Sequence, residues 1–335
     1  HSQKIFFILL FMPNDQLHFF QKADFDESEL TQVKKILRKS GRTLILPYDQ
    51  FIEHDARHLD AESDAGDPDY IMKLAVEGGY NAVAVHYGVA KRYWRKLKQN
   101  QMPLILKING KTSFPSAKQP LSAYTSYVED AAKLGAVGVG YTMYYGTPRQ
   151  DEDFPQLASV RYKCEEFKLP LIVWAYPRGE AVDAKGGAGS SYALESAARM
   201  AMEMGATIIK SNLPKAMKPE FLNNEAIPEY FRKVEKDLIN LPALQQKLER
   251  AKRVVKAASG IPVLFSGGEE IDEGSLMENS KACLDAGCFG FIFGRNMWKR
   301  PFDVAMRLTK SIASALDDLM DLPEEELSVF LKKAR

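Results

Sequence analysis

The chain predicts an α/β fold, a (β/α)8 TIM barrel, and three observations carry that prediction. Short apolar runs recur eight times, amphipathic stretches lie between them, and glycines stand just ahead of several runs. The runs cover 43–49, 81–86, 103–109, 136–142, 169–176, 206–212, 261–266 and 288–293, with the length and β-branched content of buried strands. Stretches 68–77, 121–134, 192–204, 244–258 and 274–286 read as helices. Gly79, Gly135, Gly205, Gly260 and Gly287 sit where a helix end needs a residue that tolerates left-handed backbone. Eight β-then-α units favour a closed parallel barrel over an open doubly wound sheet.

A chain of 335 residues suits one such barrel. Residues 1–25 read as a peripheral or appended segment. Their apolar run 5–12 behind Lys4 resembles the start of a secretory signal, but it is shorter than a membrane span and no small-residue cleavage site follows. The barrel then occupies 26–316 as a single domain, and 317–335 form a C-terminal extension with a helix over 322–335. Segment 213–242, rich in proline and charge, exceeds an ordinary βα connection and is expected to cover the site or make a subunit contact.

Lys plus Arg, 45, nearly balances Asp plus Glu, 44, so no global field would gather nucleic acid or a membrane surface; small neutral or anionic ligands remain. The three cysteines, Cys164, Cys283 and Cys288, lack metal-ligand spacing and point to a reducing, cytoplasmic setting rather than a disulfide framework.

In a barrel the ligand face lies where strands end. The first strand ends Pro47-Tyr48-Asp49, the third Lys107-Ile108-Asn109, the fifth Trp174-Ala175-Tyr176 and the sixth Lys210-Ser211-Asn212. Alternation places Ala206, Ile208 and Lys210 on one face. A lysine at a strand end ordinarily reaches solvent. Inside a barrel, loss of water favours a neutral amine that can attack a carbonyl and form a Schiff base. If the strand faces point inward, Lys107, Asp49 and Tyr176 converge on Lys210. Asp49 could then hold the amine or carbinolamine, and Tyr176 could move a proton. The alternative is a structural ion pair between Asp49 and either lysine, with Trp174 and Tyr176 as core.

The last two strands end Ser266-Gly267-Gly268 and Gly294-Arg295-Asn296. Gly267 and Gly268 admit a ligand to the backbone and Arg295 offers a planar cationic fork, a combination suited to phosphate. The run Gly186-Gly187-Ala188-Gly189-Ser190-Ser191 looks like a phosphate cradle but lacks the lysine of a nucleotide loop, and reads as a mobile βα loop. His54 and His58 could share a helical face toward a metal; with five histidines and no further ligands arranged around them, a loop or helix start is preferred.

Taken together, several segments resemble the archaeal-type class I fructose-bisphosphate aldolases, the DhnA-like branch of the DeoC/LacD aldolase superfamily. They are Leu-Pro-Tyr-Asp-Gln-Phe-Ile-Glu-His at 46–54, Pro-Leu-Ile-Leu-Lys-Ile-Asn-Gly-Lys-Thr at 103–112, Val-Trp-Ala-Tyr-Pro-Arg-Gly at 173–179, Ile-Ile-Lys-Ser-Asn at 208–212, Ser-Gly-Gly at 266–268 and Gly-Arg-Asn at 294–296. The resemblance implies a lyase that cleaves fructose 1,6-bisphosphate reversibly in glycolysis and gluconeogenesis. Lys210 is implied as the Schiff-base lysine, Tyr176 as the proton-transfer residue, and Asp49 and Trp174 as active-site residues. Phosphate binding is implied for Ser266, Gly267, Gly268, Gly294 and Arg295, with supporting roles for Arg178 and Lys107. The implied chemistry needs no metal and no cofactor beyond the covalent Schiff base, and the implied assembly is a homo-oligomer. The same segments are similar to a family that makes an early aromatic-biosynthesis precursor by transaldol transfer; a non-catalytic sugar-phosphate-binding barrel is a further alternative. The family commonly has small residues where this chain has Phe51 and Asp55, so the first loop and the preferred sugar are expected to differ.

Overall fold

In the computed structural model, residues 16–317 are described, apart from 55, 57, 58, 60–63, 116 and 117. The apolar run 5–12, His58, Asp55 and the expected helix at 322–335 therefore lie outside the described residues. All eight expected strands form: β1 (Thr43–Tyr48), β2 (Ala82–His86), β3 (Leu104–Lys107), β4 (Gly138–Tyr145), β5 (Leu171–Pro177), β6 (Ile208–Asn212), β7 (Val263–Ser266) and β8 (Gly290–Ile292). Each pairs in parallel with its neighbours in sequence, and β8 closes onto β1 with Ile292 beside Ile45. Parallel pairing needs a crossover at every step, which is why helices alternate with strands. The five glycines expected at helix ends have φ between +68° and +95°, where any other residue carries a steric penalty.

Two elements depart from the sequence expectation. The third run continues past β3 into a short hairpin, Asn109–Gly110 paired with Ala123–Tyr124, so the helix expected over 121–134 shrinks to Val128–Lys133. Asn109 fixes this: its amide donates to Ser122 O at 3.1 Å and Thr142 O at 2.8 Å. The long segment after β6 is also structured, with a 3-10 turn at Pro219–Phe221 and a helix at Glu229–Leu238. Buried Glu235 ties it down, accepting from Ser191 Oγ at 2.7 Å, Met217 N at 3.3 Å and Arg250 Nη2 at 2.7 Å.

Strand alternation divides the core in two. Outward residues such as Leu44, Val83, Leu106, Val173 and Phe265 pack under the helices. Inward residues Ile45, Ala82, Ala84, Ile105, Ile172, Ile208, Leu264 and Ile292 fill the barrel's lower half. Below them Phe20, Val33, Ile36 and Phe289 form a floor. The ring of Phe20 meets Phe25 and Phe289 edge-on, with centroids 5.1 and 5.4 Å apart. Residues 17–25, assigned by the sequence to a peripheral segment, are thus part of the packed barrel, because its narrow end otherwise leaves inward apolar side chains in water. With an apolar lower half, the polar inward residues are confined to the strand ends above.

Candidate active site

The inward positions continue upward as Pro47 and Asp49 from β1, Thr142 and Tyr144 from β4, Trp174 and Tyr176 from β5, Lys210 and Asn212 from β6, and Ser266 from β7. All except Thr142 line one cleft, with Glu53, His54, Lys111, Arg178, Gly267, Gly268, Gly294, Arg295 and Asn296 around it. Ten of the eleven residues singled out from the sequence therefore meet here: Lys210, Tyr176, Asp49, Trp174, Ser266, Gly267, Gly268, Gly294, Arg295 and Arg178.

Lys210 is 3 % exposed and lies opposite Trp174 in the β5–β6 register. Its Nζ stands 4.6 Å from the Trp174 ring centroid and 5.6 Å from that of Tyr176. No ion pair joins it to a carboxylate among the described residues, so the expected alternative of an Asp49 ion pair is not formed. Asp49 is itself buried with both carboxylate oxygens unpartnered. Burial pushes its pKa up, but the charges of Lys210 and Lys107 outweigh it and hold the group below the ordinary aspartate value. An ionised carboxylate with idle lone pairs is a base waiting for a proton or a hydroxyl.

Lys107 differs. It is fully buried, does not line the cleft, and its Nζ is committed to Glu53 Oε1 and to the carbonyl and side-chain oxygens of Asn109. An ammonium has three donors and here all three are used. Strand alternation places both lysines alike, and the resemblance implies a supporting role for Lys107 in substrate binding; the geometry instead makes Lys107 a fixed cation 5.7 Å from the Trp174 ring and leaves Lys210 as the available amine.

Tyr176 is half-buried, with the Arg178 guanidinium 5.3 Å from its ring centroid. Across the cleft, Arg295 Nη2 donates to Gly268 O at 2.9 Å. Asn296 ties the two last loops together, accepting from Ile271 N and donating to Glu269 O, each at 3.0 Å. A Cβ on Gly267 would meet Asn296 Nδ2 at 2.5 Å, so this loop closes only around glycine. Its exposed backbone beside Arg295 makes a concave cationic pole. Lys111 and Arg178 supply positive charge elsewhere on the rim. His54, also lining the cleft, is neutral at physiological pH because burial, then Arg295, pushes its pKa down to about 4.

Five polar cleft residues were given no role by the sequence: Glu53, Lys111, Tyr144, Asn212 and Asn296. Tyr144 was missed because the apolar run was ended at 142, whereas β4 continues to Tyr145 and carries the inward alternation two residues further. Glu53 and Lys111 stood within segments already noted, without a local pattern to mark them. Phe51, which stands where the family commonly has a small residue, does not line the cleft and packs edge-on against Tyr48 at 5.5 Å. The glycine-rich run 186–191 does not line this cleft; Ser190 caps the helix Ser191–Glu203 through Ala193 N, and Gly189 O accepts from Lys215 N. Among the described residues no cluster of three or more His, Cys, Asp or Glu could hold a metal ion.

A closed barrel with a buried, unpaired lysine at its ligand face, an idle carboxylate and a cationic pole defines a Schiff-base aldolase class of enzyme. The chain belongs to the DeoC/LacD family of aldolases, whose model matches residues 43–300. It is 34 % identical over 267 residues to the class 1 fructose-bisphosphate aldolase of Thermoproteus tenax, covering 79 % of this chain and 87 % of that one. It is 27 % identical over 318 residues to the fructose-bisphosphate aldolase/6-deoxy-5-ketofructose 1-phosphate synthase of Methanocaldococcus jannaschii, covering 92 % and 91 %. An archaeal fructose-1,6-bisphosphate aldolase, solved with its catalytic lysine covalently bound to the carbinolamine intermediate of its substrate, superposes with a TM-score of 0.70 at 29 % identity over 86 % of this chain and 99 % of that one.

Proposed function

We propose that the chain is a class I fructose-1,6-bisphosphate aldolase that interconverts the ketose with dihydroxyacetone phosphate and glyceraldehyde 3-phosphate through a Schiff base on Lys210. The observation that carries this reading is the contrast between the two buried lysines: Lys107 has every donor engaged, while Lys210 lies against two rings with no carboxylate partner among the described residues.

In cleavage, the Lys210 amine adds to C2 of the open-chain ketose and the carbinolamine loses water to give an iminium. Asp49 takes the proton of the C4 hydroxyl. The C3–C4 electron pair then flows into the iminium, C4 departs as the aldehyde, and an enamine remains on Lys210. Tyr176 delivers a proton to C3, and water hydrolyses the resulting imine, releasing dihydroxyacetone phosphate and the free amine. The protonated imine is the electron sink in this scheme. One phosphate is assigned to Ser266, Gly267, Gly268, Gly294 and Arg295, the other to Lys111 and Arg178. Trp174 forms the wall against which Lys210 is held.

Residues 26–316 are assigned to one catalytic domain, extended to include the floor from residue 17. A homo-oligomer suits the insertion, whose helix exposes Tyr230 and is followed by exposed Ile239. The free cysteines suit a reducing cytoplasm. No helix among the described residues is long and apolar enough to cross a membrane. The double name of the Methanocaldococcus relative favours one further reading, aldol transfer on another phosphorylated ketose by the same imine.

Borohydride reduction with fructose 1,6-bisphosphate should add mass to the peptide carrying Lys210, and Lys210→Ala should abolish both adduct and cleavage. Cleavage that survives Lys210→Ala and is lost with a chelator would overturn the reading. Substrate protection against heating without any adduct would leave a binding barrel, and an adduct with turnover confined to another ketose phosphate would favour the transfer reaction.

A further inference from the structure

Glu53 follows β1 by five residues, on the short helix Gln50–Glu53, and lines the cleft. Its side chain is 8 % exposed. The two carboxylate oxygens are unequal. Oε1 takes the Lys107 ammonium and the Thr142 hydroxyl, the latter at 2.9 Å. Oε2 has no partner among the described residues, yet it is absent from the buried unpartnered oxygens, so it is the atom left facing open space. A buried ion pair of this kind holds the carboxylate rigid, and it costs free energy unless its remaining lone pairs are also satisfied. Asn109 braces the same unit, accepting from Thr142 N at 2.7 Å.

The neighbours of Glu53 say which end of the cleft it serves. Its oxygen is held by Lys107 at the end of β3 and Thr142 on β4, which stand across the closed ring from β7 and β8 and so from the Gly267–Gly268 turn and Arg295. With C2 of the ketose at Lys210 and one phosphate at Arg295, this is where the aldehyde-derived half lies. With Asp49 taken by the C4 hydroxyl, the next hydroxyl of that half needs an acceptor of its own, and a rigid carboxylate oxygen is a strong one.

We propose that Glu53 is a specificity-determining residue, whose Oε1 is anchored by Lys107 and Thr142 and whose Oε2 accepts a hydrogen bond from a hydroxyl of the aldehyde half. The inference rests on the aldolase reading and deepens it: the preferred aldehyde carries a hydroxyl on the carbon next to its carbonyl. A site built to bond a hydroxyl rejects the analogue lacking it far more sharply than an apolar pocket does, because the protein group is then left unpaired.

The test is aldol synthesis from dihydroxyacetone phosphate with glyceraldehyde 3-phosphate and with its 2-deoxy analogue, comparing kcat/KM. The wild-type chain should favour the hydroxylated aldehyde by at least about tenfold. Glu53→Gln keeps an oxygen for Lys107 and Thr142 but puts an N–H donor where Oε2 stood, and it should reduce that preference to within about threefold, mainly by losing rate on the hydroxylated aldehyde. Borohydride trapping of dihydroxyacetone phosphate on Lys210 should be retained, since that half of the substrate does not touch Glu53. If Glu53→Gln fails to fold, Thr142→Val, which frees the anchored oxygen, should lower the preference in the same direction. A wild-type enzyme indifferent to the hydroxyl, or a preference unchanged in the folded variant, would overturn the proposal while leaving the aldolase reading intact. Absence of a wild-type adduct on Lys210 would instead remove the aldolase reading on which it stands.

Discussion

Trp174 has room inside the barrel because residue 140 has no side chain. A Cβ on Gly140 would meet the indole at 2.6 Å and Lys107 Cδ at 3.2 Å, so the indole lies flat against β4 and stands between two lysines. Gly140→Ala therefore has no local solution: the indole must move toward Lys210 or β4 must bow outward. It is expected to lower the unfolding free energy by about 1–3 kcal/mol, read from a urea transition, and to slow borohydride trapping on Lys210, with a shifted tryptophan emission marking the displaced ring. At this scale the sequence was informative wherever period-two alternation reached a strand end. Alternation brings Asp49, Trp174, Tyr176 and Lys210 together once their faces point inward, and the resemblance implies their roles. The same pattern fails for Lys107, which obeys it and yet is spent on Glu53, a partner 54 residues earlier in the chain. Which of two inward lysines is saturated depends on a contact that exists only once β1 and β3 stand in the same barrel.

The elements that carry the site are held by a few buried polar residues rather than by loop length. The insertion after β6 illustrates this. Glu235 receives donors from Ser191, Met217 and Arg250 while only 1 % exposed, and the facing arginine is 3 % exposed. Removing one partner of such a pair strands the other without water. Glu235→Ala should cost about 3–5 kcal/mol, and hydrogen exchange should rise first in Glu229–Leu238 and at the start of Ser191–Glu203, ahead of the strands. Uniform exchange across the barrel would show that the insertion is not an independent unit of stability. Strands were legible as elements because each is a short apolar run, and most are bounded by glycine. Helices were less so. Gln150–Phe167 opens with three acidic residues, carries Pro155 in its interior and buries only Asp153, Leu157, Val160 and Cys164 along its length, too sparse a stripe for periodicity to reveal. The stretch 121–134 showed a helical pattern, but Asn109 captures its first residues for the hairpin.

The whole molecule is polarised along the barrel axis, with polar inward side chains at the strand ends, an aliphatic middle, and an aromatic floor supplied largely from outside the eight strands. Neither charge balance nor composition could reveal that floor, because Phe19, Phe20 and Phe25 read as part of a peripheral or appended segment until the barrel gives them a cavity to close. The consequence is a separation of stability from chemistry. Phe20 is 4 % exposed and touches Phe25 and Phe289, a full barrel length below Lys210. Phe20→Ala removes a buried ring and should lower the unfolding free energy by about 3–5 kcal/mol, seen as an earlier urea midpoint with an unchanged slope. Under conditions where the variant is still folded, the rate of adduct formation on Lys210 and kcat/KM for fructose 1,6-bisphosphate should match the parent chain, since the rigid aliphatic layer of Ile45, Ile172, Ile208 and Leu264 stands between. Matching losses in stability and trapping rate would instead mean that the floor sets the height of β6, and with it the reach of Lys210.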